Sequence, residues 1–171
     1  KRLMGPPQGP PARLDAVGWT LCMLIVAVAI LDLFEGFAPP ADGDSLAYHF
    51  ALPKQFLAAG GLEFVPRAVD GASPMIVQMT YLPAFALGGE LGLTLWTTVS
   101  GWAAPALAYA LCRRALGVNW SLAAALVLLT TPAVLYGGGT GQVEIRLALF
   151  VLVAAFAVAE ARATDRPSFA A

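Results

Sequence analysis

The chain has 171 residues, 58% of them hydrophobic and 12% charged, with a net charge of −1. A soluble domain carries about a quarter charged residues, so a mean hydropathy of +0.72 excludes a water-solvated globule and makes lipid the main solvent. No basic block offers a nucleic-acid surface. Cys22 and Cys112 lie in or beside apolar runs, as small hydrophobes do, without the spacing of a disulfide or a metal pair.

In chain order, residues 1–15 begin with "KRLMGPPQGPPAR" and read as a cytoplasmic tail, because no short apolar region with a small-residue cleavage site follows. The first residue is Lys1, so the natural chain is expected to start earlier. Residues 16–37 form the first expected span, and Pro39-Pro40 ends it. Residues 38–90 read as a large external loop with two interfacial helices, about 45–59 and 74–88. Asp44 is the expected N-cap of the first, which stops at Gly60-Gly61. Leu46, Phe50, Pro53 and Leu57 fall along one side of it, with Tyr48, Lys54 and Gln55 toward the other. A Ser73-Pro74 entry signal opens the second. Spans are then expected over 91–112, 119–137 and 145–162, joined by a cytoplasmic loop at 113–118 and an external loop at 138–144. The string "YGGGTGQ" reads as loop, and 163–171 as a second cytoplasmic tail.

This is an all-α membrane bundle of about four spans, or five if the stretch from 73 to 89 crosses. With four spans and the N-terminus inside, Lys1, Arg2, Arg13, Arg113, Arg114, Arg162 and Arg166 are cytoplasmic, against Lys54, Arg67 and Arg146 outside. Five spans give at best six against four. The positive-inside rule therefore favours four spans with both termini cytoplasmic. That topology gathers Asp42, Asp44, Tyr48, His49, Lys54, Glu63, Arg67, Asp70, Gln78, Glu90, Glu144 and Arg146 on one outer face.

Each of these residues has a plain structural reading beside a chemical one. Asp44 can be a helix cap or a general base. Asp42-Gly-Asp44 is a turn or a weak two-carboxylate site for a divalent metal ion at Asp42. His49, the sole histidine, is packed or a ligand, and Lys54 snorkels or meets an anion. Glu144 favours a helix start electrostatically; as a second acid returning to the same face, it also suits a catalytic cleft.

The segments "DGDSLAYHFALPKQFLAAGGLEFVP" and "SPMIVQMTYLPAFALGG", followed by "LLTTPAVLYGGGTGQVEIRLALFVLVAAFAVAEA", resemble the N-terminal part of bacterial polytopic membrane glycosyltransferases of the GT-C superfamily. The superfamily includes protein-mannosyltransferase and aminoarabinose-transferase relatives, and the members nearest in pattern are those in which an Asp-Ser-Leu-x-Tyr-His…Pro-Lys string follows the first span. The resemblance is strongest over residues 44–54, and Glu144 stands where the family usually has aspartate. It implies transfer of a sugar from a polyprenyl-phosphate donor to an acceptor at the outer face of the bacterial cytoplasmic (inner) membrane. It casts Asp44 and Glu144 as the catalytic acids, and Tyr48, His49, Lys54 and Arg146 as substrate-binding residues. Implied partners are membrane lipid and the lipid-linked sugar. Such transferases run to several hundred residues with many more spans. The 171 residues are therefore expected to be part of a longer enzyme or a short relative, inactive alone. The competing expectation is a non-catalytic subunit packed among other membrane subunits, with small-residue stretches such as "SGWAAPALAYALC" for close helix contact. Transport fits less well, because spans two to four hold no mid-membrane charge, and haem ligation fails for want of a histidine within a span.

Overall fold

A computed structural model describes residues 13–66 and 75–164. The expected Ser73-Pro74 helix entry, Arg67, the outer part of the N-terminal tail and the C-terminal tail from residue 165 lie outside the described residues. Among the described residues every regular element is helical. They are α1 (Ala16–Gly36), a π-helical turn (Ser45–His49), α2 (Ala51–Ala59), a 3-10 turn (Gln78–Thr80), α3 (Tyr81–Gly101), α4 (Ala103–Cys112), α5 (Val118–Leu129), α6 (Pro132–Gly139) and α7 (Glu144–Thr164).

Local chemistry accounts for most boundaries. Asp15 caps α1 by accepting from Gly18 N at 2.8 Å and also takes both Asn119 contacts, each 3.0 Å, tying the start of α1 to the start of α5. Gly60, at φ +73°, ends α2 in the left-handed conformation that suits glycine. Gly89, at φ +60°, kinks α3 where the sequence divides an interfacial stretch from a span. Pro132 opens α6 after an extended Thr131, as a residue before proline prefers. The chain bends there by 66° between α5 and α6.

Two expectations about local structure change. "YGGGTGQ" is not all loop, because α6 runs through its three consecutive glycines to Gly139. The one-sided apolar stripe over 45–59 is also re-phased. Phe50 N bonds Ser45 O at 3.0 Å, an i→i+5 bond that inserts one extra residue into the turn. Phe50, Leu52 and Pro53 are consequently buried, while Leu46 and Leu57 face outward.

α1 packs on α5 and α3, α3 on α6, and α4 on α5 and α7. The interior between them holds Ser45, Gln78, Thr94, Thr97, Thr98, Ser121 and Arg146, all buried. The threonines return their hydroxyls to carbonyls of their own helix: Thr97 Oγ1 to Thr94 O at 2.7 Å, and Thr98 Oγ1 to Thr94 O at 3.1 Å. Large apolar side chains such as Trp19, Met23, Leu31 and Phe34 of α1, and Phe150 and Val151 of α7, point out. Small polar residues inside and large apolar ones outside is the distribution expected when lipid surrounds the helices. α1 is long and apolar enough to cross a membrane, and α5 with α6 passes as a second, bent span when the two are taken together.

Candidate functional site

The segment around residue 44 and the segment around residue 141 meet, although nearly a hundred positions separate them. Ser45 Oγ accepts from Gly141 N at 2.7 Å, Tyr81 OH donates to Gly141 O at 3.0 Å, and Gln142 Nε2 donates to Asp44 Oδ2 at 3.1 Å. Tyr81 also meets Phe50 edge-on, with centroids 5.4 Å apart.

Glycine makes that approach possible. A Cβ on Gly141 would lie 2.6 Å from Ser45 Oγ and 2.8 Å from the Phe50 ring. On Gly101 it would lie 2.6 Å from Gly138 Cα, and on Gly139 it would lie 3.0 Å from the Glu35 carboxyl carbon. The glycine run is thus a packing surface that admits α1, α3 and the 45–50 turn to one point.

Arg146 locks the same point. Its Nε donates to Ser100 Oγ at 2.8 Å, Nη1 to Gly137 O at 3.0 Å and to Gln142 O, and Nη2 to Gly138 O at 3.0 Å and to Thr97 O. A guanidinium has five N–H donors, so all are engaged. The carbonyls of Gly137 and Gly138 end α6, where a cation both satisfies orphan acceptors and complements the helix dipole. Arg146 is 2% exposed and lies 5.7 Å from the Tyr81 ring centroid. The expectation that it binds a donor phosphate is therefore corrected: it has no donor left for an external anion.

The expected site residues divide accordingly. Asp42, not Asp44, caps the π turn, accepting from Ser45 N at 2.8 Å, and Asp44 makes no cap bond. Asp44 is exposed; Gln142 holds its Oδ2, and Oδ1 has no partner among the described residues. Glu144, exposed at the start of α7, acts electrostatically on His49 together with Asp44 and Asp42. Asp44, Glu144 and Asp42 thus all lie within electrostatic reach of His49. Tyr48 stacks on His49 with centroids 4.0 Å apart and packs against the Leu52, Val65 and Met75 cluster. Lys54 turns to α3, where it pairs with Glu90 and lies 5.3 Å from the Phe85 centroid. Its engagement is thus with α3, and nothing ties it to the acids.

His49 is 2% exposed. Gln78 Nε2 sits 3.0 Å from its Nδ1; an amide nitrogen only donates, so Nδ1 accepts and the ring proton belongs on Nε2. Burial holds the imidazole pKa below its ordinary value, opposed by the Gln142 contact and then by Glu144, Asp44 and Asp42.

One Asp42 oxygen is committed to the Ser45 N–H, and among the described residues no three His, Cys, Asp or Glu side chains converge as metal ligands. Gln78 is among the polar residues the sequence places on the expected outer face; Gln142 is the one that sequence reasoning missed. Its only sequence signal is a lone amide just before Glu144.

No protein-family model, no curated protein and no solved structure matches this chain.

Proposed function

We propose that the chain is a membrane glycosyltransferase, or part of one, that transfers a sugar from a polyprenyl-phosphate donor to an acceptor hydroxyl at the outer face of a bacterial cytoplasmic membrane. The reading includes a GT-C-like arrangement of four spans with both termini cytoplasmic. The observation that carries it is the Asp44–Gln142 bond. It holds Asp44 against the segment that carries Glu144, beside a buried histidine on which both acids act, while Asp44 makes no cap bond and its Oδ1 has no partner among the described residues. The polar interior and the apolar exterior of α1 and α7 support a lipid setting.

In this reading the Asp44 carboxylate takes the proton of the acceptor hydroxyl. That oxygen forms the new bond to the anomeric carbon from the face opposite the donor, and the bond between the anomeric carbon and the phosphate oxygen breaks. Polyprenyl phosphate leaves and the anomeric centre inverts. Glu144 adds negative charge beside the oxocarbenium-like sugar, where it is stabilising. Tyr48, on the ring of His49, offers an aromatic face to a sugar. Lys54 keeps ammonium N–H groups beyond its bond to Glu90 to meet the phosphate.

The test uses the polypeptide as its gene encodes it, in native membranes, with radiolabelled polyprenyl-phosphate sugars. Asp44→Asn is expected to reduce transfer by roughly 10²–10⁴-fold, the range for a general base, with unchanged membrane insertion. Wild-type transfer by Asp44→Asn, or no transfer from any such donor by the unaltered protein, sinks the reading.

A second reading rests on a different observation, the continuous outward apolar faces of α1 and α7. There the chain is a non-catalytic subunit packed in a larger membrane complex. Bulky polar substitutions at Met23 or Phe150 would then release it from that complex, while Asp44→Asn would leave assembly intact.

A further inference from the structure

The hydrogen-bond directions around His49 are set from both ends. At one end Gln78 Nε2, a donor, faces Nδ1 at 3.0 Å, which leaves the imidazole proton on Nε2. At the other end Gln142 Nε2, also a donor, is held by Asp44 Oδ2 at 3.1 Å. An ionised carboxylate only accepts, so the amide nitrogen of Gln142 must face Asp44 and its amide oxygen must face away. The Gln142 side chain is also the strongest influence opposing the burial that lowers the His49 pKa, the effect of an acceptor placed near the ring. Yet Nε2 is buried and closes no hydrogen bond of normal geometry among the described residues. A buried donor without a partner is costly, by about 1–3 kcal/mol, and the nearby amide oxygen is the acceptor whose orientation is already dictated.

We propose that Gln142 is the positioning residue of the site, linking Asp44 to His49 in a single-direction relay. The relay runs from the Gln78 N–H to His49 Nδ1, from the His49 Nε2–H to Gln142 Oε1, and from the Gln142 N–H to Asp44 Oδ2. It rests on the proposed role of Asp44 as the base, and it deepens that role. Gln142 holds one carboxylate oxygen so that the other, Oδ1, presents a fixed lone pair to an incoming hydroxyl. No proton needs to be transferred along the relay; its work is orientation and polarisation.

The backbone around Gln142 is suited to this task. Gly141 N is fixed by Ser45 Oγ at 2.7 Å and Gly141 O by Tyr81 OH at 3.0 Å, and Gln142 O receives Arg146 Nη1. Three side chains from three parts of the chain therefore fix the peptide units on either side of the Gln142 side chain. The groups facing the ring are Gln78, Gln142, Glu144, Asp44 and Asp42, with Tyr48 stacked on it. Protonating Nδ1 would set an N–H against the Gln78 N–H₂ and break the relay at its first bond.

His49 is the only histidine, so the imidazole nitrogens of ¹⁵N-histidine-labelled protein report this ring and no other. The experiment records them by NMR at pH 8 on the whole chain in lipid nanodiscs. The expected spectrum is a neutral ring protonated at Nε2. Gln142→Ala and Asp44→Ala should each shift the Nε2 resonance, and the double variant should shift it by clearly less than the sum of the two, because Asp44 acts on the ring through Gln142 as well as by its own charge. Asp44 is exposed and caps nothing, so Asp44→Ala tests the relay even if Gln142→Ala fails to fold. Gln78→Leu should release the tautomer toward a mixture.

A ring protonated at Nδ1, an Nε2 signal unmoved by Asp44→Ala, or additive shifts in the double variant would each overturn the relay. The spectra do not depend on turnover. An intact relay with no transfer activity removes the transferase reading alone, and a broken relay with Asp44-dependent transfer removes only the role of Gln142. Where transfer is measured, Gln142→Ala is expected to lower kcat with little change in KM.

Discussion

Replacing Arg146 probes the centre of the structure. Its guanidinium is 2% exposed and reaches five acceptors: Ser100 Oγ and the carbonyls of Thr97, Gly137, Gly138 and Gln142. Arg146→Ala strips all five, and two of them end α6, where water would have to enter a buried glycine contact to replace the cation. Hydrogen bonds to charged groups contribute about 1.5–3 kcal/mol each, but five bonds to one group are not additive. The comparable measured loss, one partner removed from a buried charged network, is about 3–5 kcal/mol. At about 2–4 °C per kcal/mol for a chain of this size, thermal unfolding should begin roughly 6–20 °C earlier. Arg146→Lys separates charge from geometry. Lysine restores the positive charge with three donors but lacks the planar fork, so it should recover no more than about half of the loss. The assay is thermal unfolding in detergent, followed by tryptophan fluorescence and by size-exclusion recovery, with the exposed Arg114→Ala as control. Arg146→Lys within about 2 °C of the unaltered protein, or Arg146→Ala no worse than Arg114→Ala, would refute the staple.

The glycine contacts give a graded series on the same assay. Gly101→Ala places a methyl 2.6 Å from the Gly138 Cα, a backbone atom that cannot turn aside, and should cost about 1–3 kcal/mol as overpacking does; Gly43→Ala, with open space around it, should be silent. The two aspartates of the turn should separate stability from chemistry. Asp42→Ala removes the bond to Ser45 N and should cost about 1 kcal/mol as a lost cap, whereas Asp44→Ala should leave unfolding unchanged and abolish transfer. Acid should weaken the fold through His49. Its folded pKa lies below the ordinary 6.5 because burial opposes the cation, so the unfolded chain binds the proton first. Its contribution is present above about pH 6.5 and declines as pH falls toward the folded value. Unfolding temperature measured from pH 8 to pH 5 should fall over that range, and the fall should be smaller in His49→Gln.

How much could be read from the sequence differs between elements for stated reasons. The caps and stops of α1 and α2 depend on Asp15 and Gly60, whose chemistry acts within a turn of the helix, so local sequence carries them. The all-helical class, and an α1 long and apolar enough to cross a membrane, follow from composition and long apolar runs. The phase of the 45–59 segment did not follow, because the π turn at Ser45–His49 shifts the helical register by one residue. Such a shift is invisible to a period of 3.6. Asp44 and Glu144 stood out as acids, but Gln142, which holds Asp44, is an ordinary amide until the neighbouring Gly141 packs against Ser45 and Phe50. The fate of the cations was likewise a tertiary matter. Whether Arg146 meets a phosphate or five carbonyls depends on where α3 and α6 end in space, and whether Lys54 is available depends on Glu90 across the α2–α3 contact. Composition, caps and turns act over a few residues and are written in the local sequence. The site is made by contacts between positions about a hundred residues apart, such as Asp44 with Gln142, and only packing decides which of them meet.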